Sequence, residues 1–327
     1  MRWMGLALLV GCAPRVSVEV LEPAAKTLPQ HFKTVVTLER GGADNRLEKD
    51  AAVEAEEAMA TVVSRSPRFE VVALTKEQAV NFDALERTLP WDTVDAITSR
   101  VGAQGVVALE SAESTSTISE DSRKDSYVDD KGKKHITITW VATRTTVVKT
   151  AWKVYDGDNQ KIVDDLTVSA RTSWDNEGST AAEARNGLPD ADTGVLDLAY
   201  ETGEDYGRRI APTWIKVSRV YYPSGSDRMA NAKDAITSGK IKPAADIWEK
   251  VAEGNDPKLA AKANFNLGVA WEGRGNLRKA IDHVNKADRV LSNGKTRSYV
   301  DLLRQRLAEK KKLKKQMAPV RGDTQNP

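Results

Sequence analysis

The chain contains a single cysteine, Cys12, among its 327 residues. No disulfide can therefore form within the chain, and its fold must be stabilised by packing. Charged residues make up 29% of the sequence and apolar residues 40%, which is enough apolar material for a buried core. A chain of this length is expected to form two domains. The net charge of +2 gives no support to a nucleic-acid partner.

The residues before Cys12 have the pattern of a lipoprotein export signal. Residues 3–10 are apolar, and Leu9-Val10-Gly11-Cys12 has the large-small-small-Cys pattern that a bacterial lipoprotein signal peptidase cleaves. The apolar run is too short to cross a bilayer, which takes roughly 20 such residues. We predict a signal peptide over residues 1–11 and an acyl lipid on Cys12 as the membrane anchor, with no other cofactor. Ala13, in place of an aspartate, favours the outer membrane and its periplasmic side.

Residues 31–222 alternate between strand and helix patterns. Short β-branched runs indicate buried strands, and apolar residues at helical spacing indicate amphipathic helices. The fold class predicted is α+β or α/β, with a mixed sheet and packed helices. Strands are predicted at residues 32–38, 69–74, 106–109, 136–155, 161–172 and 214–222, and helices at 47–64, 91–101 and 192–210.

Two stretches of this half are predicted to lack regular structure. Residues 12–30 carry three prolines and are predicted to link the lipid to the fold. Residues 113–134 are polar, rich in serine and highly charged, so we predict a mobile insertion or a hairpin tip.

Residues 227–317 are predicted to form an all-α, TPR-like (tetratricopeptide-like) helical domain. Aligning Gly239 with Gly275 places Ala244 over Ala280, an offset of 36 residues. Small residues at these positions allow two helices to approach closely. A disordered tail is predicted over residues 318–327.

Several collinear motifs carry a resemblance to a known group of proteins. They are 103–110 (AQGVVALE), 151–156 (AWKVYD), 206–214, 219–222 (RVYY) and 263–287. On these residues the chain resembles an uncharacterised family of bacterial TPR-containing lipoproteins. Its amino-terminal part is similar to the α/β domains of envelope lipoproteins such as the curli secretion channel subunit and the amino-terminal domain of TolB. The resemblance implies an architecture and no specific activity.

A partner-binding surface is predicted in the helical domain. TPR arrays present the side chains of the first helix of each repeat on their concave face, so Asn264, Asn266 and Trp271 are the candidate binding residues. Trp174 lies beside charged residues and is a further candidate for an exposed anchor. The tryptophans on apolar faces are predicted to be core residues, namely Trp91, Trp140, Trp152, Trp214, Trp248 and also Trp271.

No catalytic or metal-binding motif is predicted. His31, His135 and His283 lie in different segments without a partner at ligand spacing, so structural roles are expected for all three. The Asp-Gly-Asp-Asn run at 156–159 lacks the spacing of a calcium loop and indicates a hairpin turn.

The function predicted is that of a non-enzymatic scaffold, an outer-membrane lipoprotein that binds an envelope protein. Two alternatives stay open: an oligomeric export or secretion component, and a cell-wall hydrolase or its activator. The run 304–315 holds seven Lys or Arg residues against one Glu. It is compatible with contact to peptidoglycan, anionic lipid or an acidic partner, but a solvated helix end, whose cations suit the helix dipole, is the preferred interpretation.

Overall fold

The computed structural model describes residues 14–40, 45–74 and 88–318. The signal peptide predicted over residues 1–11, and Cys12, lie outside the described residues, as does nearly all of the predicted tail. Contacts divide the chain into two compact units. We call the described part of 24–213 the sheet unit, and the described residues 14–23 and 214–315 the helical unit.

The sheet unit is built on a mixed five-stranded sheet in the order β3-β2-β4-β5-β6. The β2 strand pairs in parallel with β3 and with β4, whereas β4–β5 and β5–β6 are antiparallel. The mixed sheet predicted from the sequence is confirmed. Its strands are β2 (Thr34–Glu39), β3 (Glu70–Ala73), β4 (Gly105–Val128), β5 (Lys134–Asp156) and β6 (Lys161–Gly178).

Helices cover both faces of this sheet. Two of them approach each other closely, because a Cβ at Gly203 would lie 2.0 Å from the carbonyl oxygen of Ala55. On their side of the sheet Trp152 stacks on Tyr206, with ring centroids 4.8 Å apart. On the other side Val94 and its neighbours pack against the sheet. The helices are α1 (Arg46–Ser64), α2 (Trp91–Val101), α3 (Ala181–Asn186) and α4 (Val195–Ile210).

The helical unit combines a two-stranded sheet with a run of helices. Strands β1 (Arg15–Glu22) and β7 (Thr213–Val220) pair with each other. The strands pack their apolar residues, such as Val18, against the helix core around Phe265. The helices are α5 (Asp227–Thr237), α6 (Ile241–Ala252), α7 (Pro257–Gly273), α8 (Leu277–Leu291) and α9 (Gly294–Gln316).

The strand β1 corrects the linker predicted over residues 12–30. Val16, Val18 and Val20 alternate with polar residues along this strand, and they face the core. Its two flanking prolines, Pro14 and Pro23, fit just outside the strand, where no backbone N–H is required. The predicted last strand also takes a different place, because β7 pairs with β1 and does not join the five-stranded sheet.

Residues 113–134 are also corrected, because they form most of a long hairpin. From Ser111 to Val128, β4 pairs residue by residue with β5. Threonine is common in strands, and pairing with β5 satisfies the backbone hydrogen bonds of this segment. The polar composition alone does not indicate that pairing. Only residues 129–133 form the tip.

The described residues therefore form an α+β protein, with a mixed sheet first and the helices α5–α9 after it. Each of the described helices is too short or too polar to serve as a membrane-spanning segment.

Candidate functional site

A cavity of about 280 Å³ lies within the helical unit. We call it the α7–α9 cavity. Apolar side chains of β1, β7, α8 and α9 line it, and three cationic and three acidic residues surround them. The apolar lining includes Leu21, Trp214, Leu277 and Leu313, and the charged lining is Arg274, Arg306, Lys310, Glu19, Glu272 and Glu309.

A tight turn between α7 and α8 forms one wall of this cavity. Gly275 has a φ of 71°, a left-handed conformation that glycine adopts without strain. Asn276 then caps α8, because its side chain accepts a hydrogen bond of 3.2 Å from the backbone N–H of Lys279. The sequence Gly-Asn therefore ends one helix and begins the next beside the cavity.

The carboxylate of Glu272 is buried at the cavity and has three partners. Arg219 donates to both of its oxygens at 2.8 Å, and the Tyr299 hydroxyl donates at 2.6 Å. Arg306 forms a further ion pair with it. Burial opposes the charge, but the hydrogen bonds and the two guanidinium groups outweigh it, so the pKa of Glu272 lies below its usual value. This carboxylate is therefore ionised at neutral pH and ties together β7, α7 and α9.

Trp214 is 53% exposed although it lines the cavity. The prediction that it is a core residue is wrong. Ile215 and Val217 pack into the core of the helical unit, so Trp214 falls on the opposite face of β7 with Lys216. The alternation along β7 is the sequence signal that could have identified it.

Trp271 lies on the same helix as Glu272 and is half-buried. Two cations lie over its ring: the Arg274 guanidinium carbon at 4.9 Å and the Lys279 ammonium at 4.3 Å from the ring centroid. Cations prefer the electron-rich face of an indole. Trp271 is therefore engaged at the turn between α7 and α8.

The two predicted groove asparagines are engaged inside the helical unit. Asn266 is fully buried, and its amide donates to the backbone carbonyl of Tyr222 and accepts from its N–H, each at 2.7 Å. Asn264 donates to Ala260 and contacts a ring nitrogen of His283 at 2.9 Å. The prediction that these amides hold the backbone of a bound peptide is corrected, because both side chains are buried and form hydrogen bonds within the helical unit.

Trp174 lies in the sheet unit, whereas the other three predicted binding residues lie in the helical unit. It is half-buried against Gly194, where a Cβ would lie 2.8 Å from the Trp174 ring. Glycine at this position, with a φ of 78°, both permits the turn and leaves room for the indole.

A second cleft, of about 520 Å³, lies in the sheet unit. Its most buried acid is Glu110, which pairs with Arg40 and accepts a hydrogen bond from Tyr155. Burial raises the pKa of Glu110, and the bonds from Tyr155 and Arg40 only partly oppose this effect. Both oxygens of this carboxylate thus have partners within the sheet unit.

The three histidines have separate neighbours among the described residues. His31 is 3.0 Å from Asp156 and 3.8 Å from Asp158, the one group with metal-ligand composition among the described residues. The Asp156 carboxylate also accepts from the backbone and side-chain N–H groups of Asn159. These bonds build the four-residue turn between β5 and β6, so the geometry is that of a turn. His135 contacts Asp129 at 2.7 Å.

Two regions match known protein families. Residues 23–222, more than half of the chain, match DUF8603, a domain of unknown function. The chain belongs to the DUF8603 family. Residues 230–305 match a second domain of unknown function, DUF6340. No curated protein is similar enough to match this DUF8603 member.

Two solved structures show a distant likeness to the DUF8603 member. One is the PelC dodecamer from Paraburkholderia phytofirmans, at 13% identity, covering 61% of this chain and 99% of that chain with a TM-score of 0.28. The other is a neuraminyllactose-binding hemagglutinin homolog from Helicobacter pylori, at 12% identity, covering 56% and 88% with a TM-score of 0.24. Likeness at this level says nothing of what the DUF8603 member binds.

Proposed function

We propose that this chain is a non-enzymatic lipoprotein of the outer membrane whose helical unit binds an envelope protein. The observation that carries the binding step is Trp214, an indole that is 53% exposed while lining an apolar cavity. The anchor proposed is an acyl lipid on Cys12, which rests on the Leu-Val-Gly-Cys pattern of the sequence.

The size and lining of the α7–α9 cavity favour an apolar side chain as its occupant. Its volume of about 280 Å³ is close to the roughly 300 Å³ at which small binding pockets begin. Leu21, Leu277 and Leu313 offer apolar contacts, and Trp214 has surface left to bury. Tryptophan is enriched among the residues that dominate binding energy at protein interfaces.

The polar part of the cavity is arranged to stay in place when a partner binds. Glu272 is already neutralised by Arg219 and Arg306, so the partner does not have to compensate a buried charge. Lys310 donates to the carbonyl of Gly275 at 3.1 Å, which joins α9 to the turn after α7. Such prior ordering lowers the entropy that binding would otherwise cost.

The helices of the helical unit support a TPR-like repeat as the scaffold. The pair α5–α6 turns at Gly239 and the pair α7–α8 at Gly275, with φ values of 74° and 71°. A Cβ at Gly268 would lie 2.2 Å from the Cγ2 of Val284, so glycine permits the close contact of α7 with α8. Ala244 and Ala280, at equivalent positions, are both fully buried. We propose that these two pairs are degenerate TPR-like repeats.

Site-specific photocrosslinking in the native cell tests the proposed function. A photoreactive amino acid replaces Trp214 in the full chain, and the matched control carries it at Lys216, on the same exposed face of β7 but outside the cavity lining. We expect one discrete protein adduct at position 214 that is absent at 216. Equal adducts at both positions, no adduct, or an adduct to glycan alone would contradict a protein partner at this cavity.

A further inference from the structure

The β4–β5 hairpin extends beyond the rest of its sheet. The last residue of β6, Gly178, pairs with Trp140, whereas β4 and β5 stay paired as far as Val128 and Lys134. We call residues 122–140 the arm. A two-stranded hairpin without a third strand or a packed helix is at best marginally stable in water. The arm is therefore a segment that further pairing would stabilise.

One face of the arm carries an apolar stripe that continues from the core. Ile136 and Ile138 on β5 and Val128 on β4 lie on this face and are exposed, Ile136 and Val128 at 64% and 63%. Further along β5, Ala142 and Val148 point to the same side of the sheet and are fully buried. Helices cover this apolar stripe only outside the arm. Contiguous exposed apolar side chains of this kind mark interaction surfaces.

The outer edge of β4 is open along the same stretch. Among the described strands, its neighbour on that side is β2, and their pairing ends at Leu109. Further out, the backbone N–H of Ser114 donates to a Glu48 carboxylate oxygen at 3.4 Å, and that of Ser122 donates to Asp121 at 2.7 Å. Within the described part of the chain, side chains meet these edge groups and no strand does. Such an edge is a template for strand addition.

The charges along this edge are self-complementary. The sequence Glu120-Asp121-Ser122-Arg123-Lys124 reads as two acids, a serine and two bases. If two copies of this edge run antiparallel about a twofold axis at Ser122, Glu120 lies opposite Lys124 and Asp121 lies opposite Arg123. A parallel pairing in register would instead set each charge against its own sign, which is unfavourable.

The backbone supports the same register. The N–H groups of Ser114 and Ser122 both point outward, so even-numbered residues of this stretch present their hydrogen-bonding groups to the open edge. Pairing about Ser122 brings even-numbered residues opposite even-numbered ones, as an antiparallel ladder requires.

Two of the four charged side chains on this edge also have partners within the chain: Glu120 bonds Arg185, and Arg123 bonds Glu177. No described residue forms an ion pair with Lys124.

We propose that the open edge of β4 is a homodimer interface, in which a second copy of this chain pairs antiparallel about Ser122. The two sheets become continuous, and the apolar stripes of both arms lie on the same face. The occupant follows from the charge sequence, because an antiparallel partner needs two acids followed by two bases, and this edge itself carries that order.

Charge reversal tests the proposed pairing by sedimentation equilibrium of the full chain carrying Cys12→Ser, which removes the acylation site. Lys124→Glu or Glu120→Lys alone places like charges opposite each other twice per dimer and should weaken self-association about tenfold. An equimolar mixture of the two variants restores both opposite-charge pairs and should restore the dimer. Lys134→Glu, the same change on β5, is the control. A chain that is monomeric at every concentration, or variants that mixing does not rescue, would overturn the proposal.

Thiol crosslinking tests the register independently, because Cys12→Ser leaves no other cysteine. A twofold axis at residue 122 sets that position against itself, with Cα atoms about 5.5 Å apart in a hydrogen-bonded pair. This is within the span of about 4.4–6.8 Å that a disulfide bridges. Ser122→Cys should therefore form a covalent dimer on oxidation, whereas Ser126→Cys, which would face Ile118, should not. Equal crosslinking of the two variants would rule out this register.

Discussion

The Arg219 guanidinium meets the Glu272 carboxylate through two hydrogen bonds of 2.8 Å each, on a carboxylate that has no exposure to water. A forked pair of this kind is both strong and directional. It joins β7 to α7, and Tyr299 and Arg306 of α9 complete it. The position of the Glu272 carboxylate in the α7–α9 cavity is therefore fixed by the fold.

Glu272→Gln should destabilise the helical unit by about 3–5 kcal/mol, because it leaves Arg219 and Arg306 without their carboxylate. The folded-state pKa of Glu272 lies below its usual value of 4.5, so its contribution is complete above that value and is lost as the pH falls through the folded pKa. Chemical denaturation at several pH values measures this. The exposed Glu249→Gln is the control, and a variant as stable as this control would show that the network contributes little.

Asn266→Ala should destabilise the helical unit without any partner present. It leaves the N–H and C=O of Tyr222, which are partly buried, without this partner, at a cost of at most about 1–3 kcal/mol for each group. Asn231→Ala, on the exposed face of α5, is the matched control. Thermal unfolding compares the two variants. Equal melting temperatures would return Asn266 to the set of candidate binding residues.

Trp214→Ala and Trp248→Ala should separate a binding tryptophan from a core tryptophan. Trp248 is almost fully buried beside Tyr221, so its truncation should cost about 3–5 kcal/mol. About half of the Trp214 surface is exposed to solvent, so its truncation should change the free energy of unfolding by less than about 1 kcal/mol. Unfolding curves measured with the same denaturant decide this. A large loss of stability in Trp214→Ala would make it a structural residue.

Cys12→Ser should abolish acylation, because the lipid is transferred to the thiol. Metabolic labelling with a palmitate analogue measures this directly. Wild type should carry the label and partition into the membrane fraction, whereas the variant should carry none. Label retained by the variant would show that Cys12 is not the site of acylation.

Local patterns in the sequence predict most single elements of this fold. The helix predicted over residues 91–101 has the same bounds as α2, since its apolar face and the following Gly102 are local signals. The pairing partners are harder to predict. The β1 strand pairs with β7, about 200 residues later in the chain, and no local signal shows that pairing.

The candidate site is predicted less well, for the same reason. Asn266 looks like a surface amide in the sequence, but its partner is the backbone of Tyr222, 44 residues away. Trp214 lies between Thr213 and the apolar Ile215 in the sequence, and only the alternation along β7 reveals its exposed face. Burial of polar groups depends on such distant contacts, whereas periodicity does not.

The strand β1 limits the reach of the anchor proposed for this chain. The strand β1 starts at Arg15, three positions after Cys12 in the sequence. Three fully extended residues span about 10 Å. If Cys12 carries the lipid, the start of β1 stays within roughly that distance of the headgroups. This distance is close to the Debye length of about 8 Å at physiological salt. The amino-terminal end of β1, and with it this edge of the helical unit, is then held beside the membrane surface.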